Sequence, residues 1–284
     1  MSRRRDLAID ALSKALKLRM RLGIPLTDSL SPIDAAEKIG IEVRFVDLPS
    51  MEGIYVAGEE PKILLSSLRP QGRKMFTCAH EIGHHMYGHG DKFDEIRTTG
   101  NKLGRQHDNE QEFVADCFAA YFLMPKATID HGLRVRELSY QNLDPVAVFT
   151  LSCWLGVGYH TLVTHLLVGL RAITRKTSDE LSAVNPQDIR RQILNGTAST
   201  QVYMVDANWV GRAIDCEVND VLVVPEDTTY ESPRLKKQSA SLIQAIEPGL
   251  DRLSLEKKKW SAFVRIAPQE YVGRSCFRFE ETSE

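Results

Sequence analysis

Hydrophobic positions along the first 125 residues change period twice, and each change predicts a different kind of element. In the opening stretch MSRRRDLAIDALSKALKLRMRLG, Ala8, Ala11, Leu12 and Ala15 recur at three- and four-residue steps among charged positions. This reads as an amphipathic helix with those four residues inward and the charges in water. Ser31-Pro32 then opens a short helix reaching residue 39, with serine as cap and proline at the first helical position. Short β-rich runs follow at 41–46, 53–56 and 62–65. The last two are separated by Gly58-Glu59-Glu60-Pro61, which predicts a small antiparallel sheet. The helical period returns from about 70 to 88, its stripe running through Phe76, Ala79, Ile82, Gly83, Met86 and Tyr87. A polar, glycine-bearing loop over 89–107 leads to a second helix at about 108–124, which buries Phe113, Val114, Cys117, Phe118 and Tyr121 and stops at Pro125.

Further helices are expected over roughly 125–195, with Gly156-Val157-Gly158 as the turn between two buried ones. A charged passage at 171–180 reads as the start of a linker. Beyond residue 198, the runs 201–205, 220–225 and 263–266 alternate with turns and predict a smaller β-rich unit. The expected organisation is α+β: residues 1–175 as one domain with a helical extension, 176–198 as linker or helix, and 199–284 as the C-terminal unit. Residues 146–170 contain no Asp, Glu, Lys or Arg for 25 residues, long enough to span a bilayer. Gly156, Gly158, His160, His165 and several hydroxyl side chains make that stretch too polar, so no membrane span is expected.

Composition narrows the function classes. With 284 residues, 43% of them hydrophobic and 26% charged, the chain can bury a core without staples. A net charge of −2 provides no field that advertises nucleic acid or an anionic membrane. Five cysteines lie at least 36 residues apart with no CxxC pair, which fits buried, reduced thiols rather than a disulfide framework or a zinc knuckle. Asp6 and Asp10 interrupt the basic start and no apolar run follows, so a secretory signal is not expected. The expected location is cytoplasmic.

The chemistry is concentrated at His80-Glu81-Ile82-Gly83-His84. Residues four apart on a helix are offset by only about 40° and roughly 6 Å along the axis, so two imidazoles converge on one ion. Glu81, next to the first of them, is placed to take a proton from water, as the HExxH pattern requires. A catalytic zinc takes three protein ligands and keeps a fourth position open, so one more ligand is needed. Glu112 and Asp116 lie four apart on one face of the next helix. Glu112 fits as the third ligand, and Asp116 fits as the acceptor that fixes a ligand histidine's tautomer. His85 points about 100° from His84 on a regular helix, and it and His89 are left outside the metal set. The donor that would stabilise an oxyanion stays open among Tyr55, Tyr87, His107, Tyr121 and His160. Residues 53–56 are the candidate edge strand for an extended substrate.

HExxH on one helix and ExxxD on the next resembles the gluzincin arrangement of thermolysin-like metallopeptidases. Ile63-Leu64-Leu65-Ser66, Arg69-Pro70, Arg73, the run from Phe76 to His84, Glu112 to Ala115, Phe118-Ala119-Ala120 and Leu123-Met124-Pro125 resemble the ImmA/IrrE family of bacterial metallopeptidases. The likeness covers about 41–125 and weakens toward 170; the C-terminal 90 or so residues match no module of that family. The resemblance implies a zincin-like domain, one Zn2+ ion for which Mn2+ can substitute, His80, His84 and Glu112 as ligands, and Glu81 as the catalytic carboxylate. It also implies a cytoplasmic endopeptidase that cleaves a helix-turn-helix repressor of the Xre or Cro/CI type, releasing stress-response or mobile-element genes.

Two other readings compete. Residues 151–163 resemble a helix-turn-helix, which would suit a DNA-binding transcriptional regulator. Its second helix offers Tyr159, His160, Thr164 and His165 but no Arg or Lys before Arg171, so direct DNA binding is not expected. The other alternative is a zinc-containing sensor or scaffold without proteolysis.

Overall fold

The computed structural model describes residues 2–95, 109–196, 201–255, 257 and 259–280. Helix α1 (Ser2–Arg21) buries Ala11, Ala15 and Leu18 and leaves Ala8 and Leu12 half-buried. Its charges are not all in water. Arg19 is 0% exposed and donates to the carbonyls of Phe122 (2.7 Å), Pro25 (2.9 Å) and Asp28. Satisfying several of the guanidinium's donors makes that burial tolerable, and burial lowers its pKa to about 10. Helix α2 (Pro32–Lys38) starts as expected, Ser31 accepting a bond from the Asp34 N–H.

Strands β1 (Glu42–Val46), β2 (Met51–Val56) and β3 (Lys62–Ser66) form the centre of a five-stranded sheet, flanked by β4 (Lys92–Glu95) and β13 (Gly273–Arg274) in the order β13-β1-β3-β2-β4. The hairpin β2–β3 is antiparallel, but β1 runs parallel to β3, in register from Glu42 opposite Lys62 to Val46 opposite Ser66. The sheet is therefore mixed rather than antiparallel. Residues 53–56 are not an edge either: β4 pairs with β2 on the side away from β3. At the other edge, β13 returns from the C-terminal end of the chain to pair with β1.

Helix α3 (Gln71–Tyr87) lies against this sheet and against α4 (Glu110–Leu123), and α1 packs along α4. In α4, Val114 and Phe118 are buried while Phe113, Cys117 and Tyr121 are half-buried. Helix α5 (Lys126–Arg134) leads to α6 (Pro145–Leu155) and α7 (Tyr159–Thr164), which continues as a π-helical turn (His165–Gly169). The chain bends by 100° between α6 and this second segment, and Gly156 makes the left-handed cap (φ 70°) that the Gly-Val-Gly turn requires. Among the described residues no single helix is long and apolar enough to cross a membrane. The turn is pressed onto the first turn of α3: a Cβ on Gly72 would lie 2.8 Å from Gly158 N and Val157 C. The passage read as linker or helix folds into α8 (Arg175–Ser182), capped by Thr174, and α9 (Pro186–Ile193), capped by Asn185.

The β-rich C-terminal region contains two four-stranded sheets. One has the order β5 (Val202–Met204), β7 (Val221–Val223), β10 (Leu242–Ala245), β9 (Leu235–Lys237). The other runs β6 (Ile214–Glu217), β12 (Trp260–Ala267), β11 (Gly249–Leu255), β8 (Thr229–Tyr230). Alternation of buried and exposed positions along β11 and β12 shows one face turned to the core. The contact with the N-terminal part is ionic as well as apolar. Arg265 holds Asp215 (2.8 Å) and Asp34 (3.0 Å), and buried Lys74 of α3 pairs with Glu217 of β6. All five cysteines are free thiols, with Cys276 exposed rather than buried.

Candidate metal centre

The site depends on how closely α3 and α4 approach. Gly83 makes this possible: a Cβ there would lie 3.1 Å from Ala115 Cα and 3.2 Å from its carbonyl oxygen. Ala115 is flanked on α4 by Glu112, one turn earlier, and by Asp116, so close packing at Gly83 carries both carboxylates to His80 and His84. Asn109 fixes the start of α4 by accepting from the Gln111 N–H at 2.9 Å. Asp108 and His107 lie outside the described residues.

His80 Nε2 and His84 Nε2 stand 3.0 Å apart. Glu112 reaches both, Oε2 at 3.3 Å from His80 Nε2 and Oε1 at 3.6 Å from His84 Nε2. These three donor atoms lie within 4.8 Å of one another, an arrangement that could hold a metal ion. His80 and His84 are 1% and 0% exposed. The outer nitrogens are engaged as well: His80 Nδ1 meets Asp116 Oδ1 at 2.7 Å, and His84 Nδ1 meets His89 Nδ1 at 2.8 Å. A proton on each Nδ1, donated outward, leaves both Nε2 lone pairs facing the same point as the Glu112 carboxylate. Such a pair of lone pairs repels unless a cation or proton stands between them, so the donor set fits a divalent ion of the zinc class. Burial opposes ionisation of Glu112, yet the facing imidazoles hold its carboxyl well below the usual range. Burial, with His84 beside it, pushes His89 down to about 4, which keeps that ring neutral and able to accept.

His89 is the residue that helical spacing misses. It lies beyond the left-handed cap at Gly88 (φ 63°), where the chain turns back and the His89 N–H bonds the His84 carbonyl at 3.0 Å. A glycine closing a histidine-bearing helix is the available signal. His89 in turn stacks on Tyr87, whose hydroxyl donates to Asp10 of α1 at 2.6 Å, so the first helix supports the site.

Glu81 is 0% exposed and lies against β2: a Cβ on Gly53 would be 3.1 Å from its Oε1 and 2.5 Å from Thr77 Cγ2. Of the candidate oxyanion donors, Tyr55 bonds His85 Nδ1 at 2.8 Å and Tyr121 reaches the Gly169 carbonyl at 3.4 Å. Tyr87 is committed to Asp10. His160 is exposed and lines a cavity shared with Thr77.

No curated protein matches the chain. Residues 36–150, which contain the sheet centre, α3, α4 and both carboxylates, match the family model described as the IrrE N-terminal-like domain, peptidase M78. This stretch, 115 of the 284 residues, thus resembles a metallopeptidase-type domain of the IrrE-like M78 family.

Proposed function

We propose that the protein is a zinc-dependent endopeptidase of the cytoplasm that makes a site-specific cut in a helix-turn-helix repressor of the Xre type, relieving repression of stress-response or mobile-element genes. The observation that carries the catalytic part is the convergence of His80 Nε2, His84 Nε2 and the Glu112 carboxylate, with Glu81, the residue after His80, fully buried against β2. His80, His84 and Glu112 would hold the ion. When bound, zinc supplies Lewis acidity, polarising a peptide carbonyl and acidifying water. Glu81 then takes a proton from the attacking water and returns it to the leaving amine. Asp116 and His89 keep the two imidazoles in the ligating tautomer. Gly53 lets β2 approach Glu81 closely enough to exclude water from one side of the carboxylate. The choice of a repressor as substrate rests on the resemblance carried by residues 41–125.

The test is incubation of purified protein with a helix-turn-helix repressor encoded beside its gene. The wild type should cut it at one bond; Glu81→Gln should retain zinc and lose cleavage by a factor of at least about 100. Cleavage that survives Glu81→Gln contradicts the assignment.

A further inference from the structure

Beside the first turns of α3 lies a cavity of about 560 Å³, the size of a small-molecule site. Its walls come from distant parts of the chain: α3, the α6–α7 turn, Arg190 of α9, and Tyr203 of β5. Phe76, Phe149, Val157 and Val202 supply an apolar side.

The polar side has an excess of positive charge. Of the two carboxylates that line the cavity, Glu52 is paired with Arg73 and Asp215 with Arg265. Arg190 and Arg212 form no ion pair among the described residues. Arg190 donates to Gln201 Oε1 at 2.9 Å, and its buried Nε has no partner among the described residues. Arg212 donates to the carbonyls of Trp154 (3.1 Å) and Cys153 (2.9 Å), and Asp215, the acidic group that acts on it most, is already held by Arg265. Tyr203, 8% exposed, lines the same space. The N-terminus of α3, 17 residues long and lacking a side-chain cap at Pro70, borders the cavity and adds partial positive charge. Both guanidinium groups are half-buried, and burial weighs against their charged form, so an anion placed beside them is favoured.

We infer that this cavity binds a small organic anion, its carboxylate or phosphate held by Arg190, Arg212 and the Tyr203 hydroxyl and its apolar body against Phe76, Phe149, Val157 and Val202. The site is distinct from the metal centre, since none of His80, His84 and Glu112 lines it. It stands independently of the proposed peptidase activity. Thr77, which does line it, sits one turn before Glu81, so an occupant touches the helix that carries the metal-binding histidines.

Calorimetric titration of the full-length protein with 3-phenylpropionate, phenyl phosphate and neutral 3-phenylpropanol tests this. At least one anion should bind saturably and about tenfold or more tighter than the alcohol, the worth of a hydrogen bond to a charged group. Arg190→Leu should weaken the anion by about tenfold and leave alcohol binding unchanged. Tyr203→Phe, which removes a single oxygen, should weaken the anion several-fold and guards against loss of fold in the first variant. Zinc content should be the same in all three proteins, which separates this site from the metal centre. The relative affinities of the two anions distinguish a carboxylate ligand from a phosphate ligand. Absence of saturable binding of both anions at millimolar concentration, or equal anion affinity in wild type and Arg190→Leu, overturns the inference.

Discussion

His84 Nδ1 stands 2.8 Å from His89 Nδ1, so one ring must donate its proton to the other. If His84 donates, its Nε2 is left as a lone pair facing His80 and Glu112; if His89 donates, that ligating position is lost. Asp116 makes the same choice for His80 from the other side, at 2.7 Å. His89→Ala and Asp116→Ala should therefore each lower zinc affinity by roughly 10–100-fold while leaving the fold intact. Competition against a chromogenic chelator measures this, and unchanged affinity in either variant removes that residue's orienting role.

Gly53 sets the distance between β2 and α3. An alanine Cβ would lie 2.5 Å from Thr77 Cγ2 and 3.1 Å from Glu81 Oε1, so Gly53→Ala should cost about 1–3 kcal/mol and displace Glu81. Adding Thr77→Ser deletes the obstructing methyl and should recover much of the stability. Urea unfolding of the single and double variants reads both effects; a stable Gly53→Ala protein with full activity would show that the approach is not tight.

Acid sensitivity should arise at His165, which is 0% exposed, bonds the Met124 carbonyl through Nε2 at 2.9 Å and meets the edge of the Tyr121 ring. Burial lowers its pKa from 6.5 to about 4. The unfolded chain then binds a proton between these values that the folded chain refuses, so this contribution is complete above about pH 6.5 and is lost as pH falls toward 4. The full loss is on the order of 3 kcal/mol. Denaturation midpoints of His165→Gln should fall less than those of the wild type between neutral pH and the lower end of this window. Parallel curves for the two proteins would place the acid response elsewhere.

The buried ionic cluster around Arg265 should be vulnerable to loss of one partner. Asp215, 3% exposed in its side chain, is held by Arg265, which also reaches Asp34. Asp215→Ala leaves Arg265 short of its counter-charge and should destabilise by about 3–5 kcal/mol. Replacing Arg265 by Met in the same protein should restore part of it. Chemical denaturation of Asp215→Ala, Arg265→Met and the double variant decides, and an additive double variant would mean the pair is not coupled.

How far these features could be read in advance depends on how local their causes are. His80 and His84 share a face of α3, and Glu112 and Asp116 a face of α4, because of spacing within two regular helices, which sequence displays directly. The parallel pairing of β1 with β3 and the return of β13 to β1 depend on chain closure over long separations, which no local pattern encodes. β4 falls in a stretch whose polar, glycine-bearing composition reads as loop, yet it covers the β2 edge. Arg19 looks like any cation on a helix surface until the carbonyls of Phe122 and Pro25 surround it. His89 escapes helical arithmetic because Gly88 ends the helix and reverses the chain.

The central claim is that His80, His84 and Glu112 hold a metal ion, and elemental analysis of purified wild type beside His84→Ala tests it most directly. Near-stoichiometric zinc in the wild type and its loss in the variant is the predicted result. A wild-type protein that takes up no divalent metal under varied loading conditions, or a His84→Ala variant that binds as much, would contradict it.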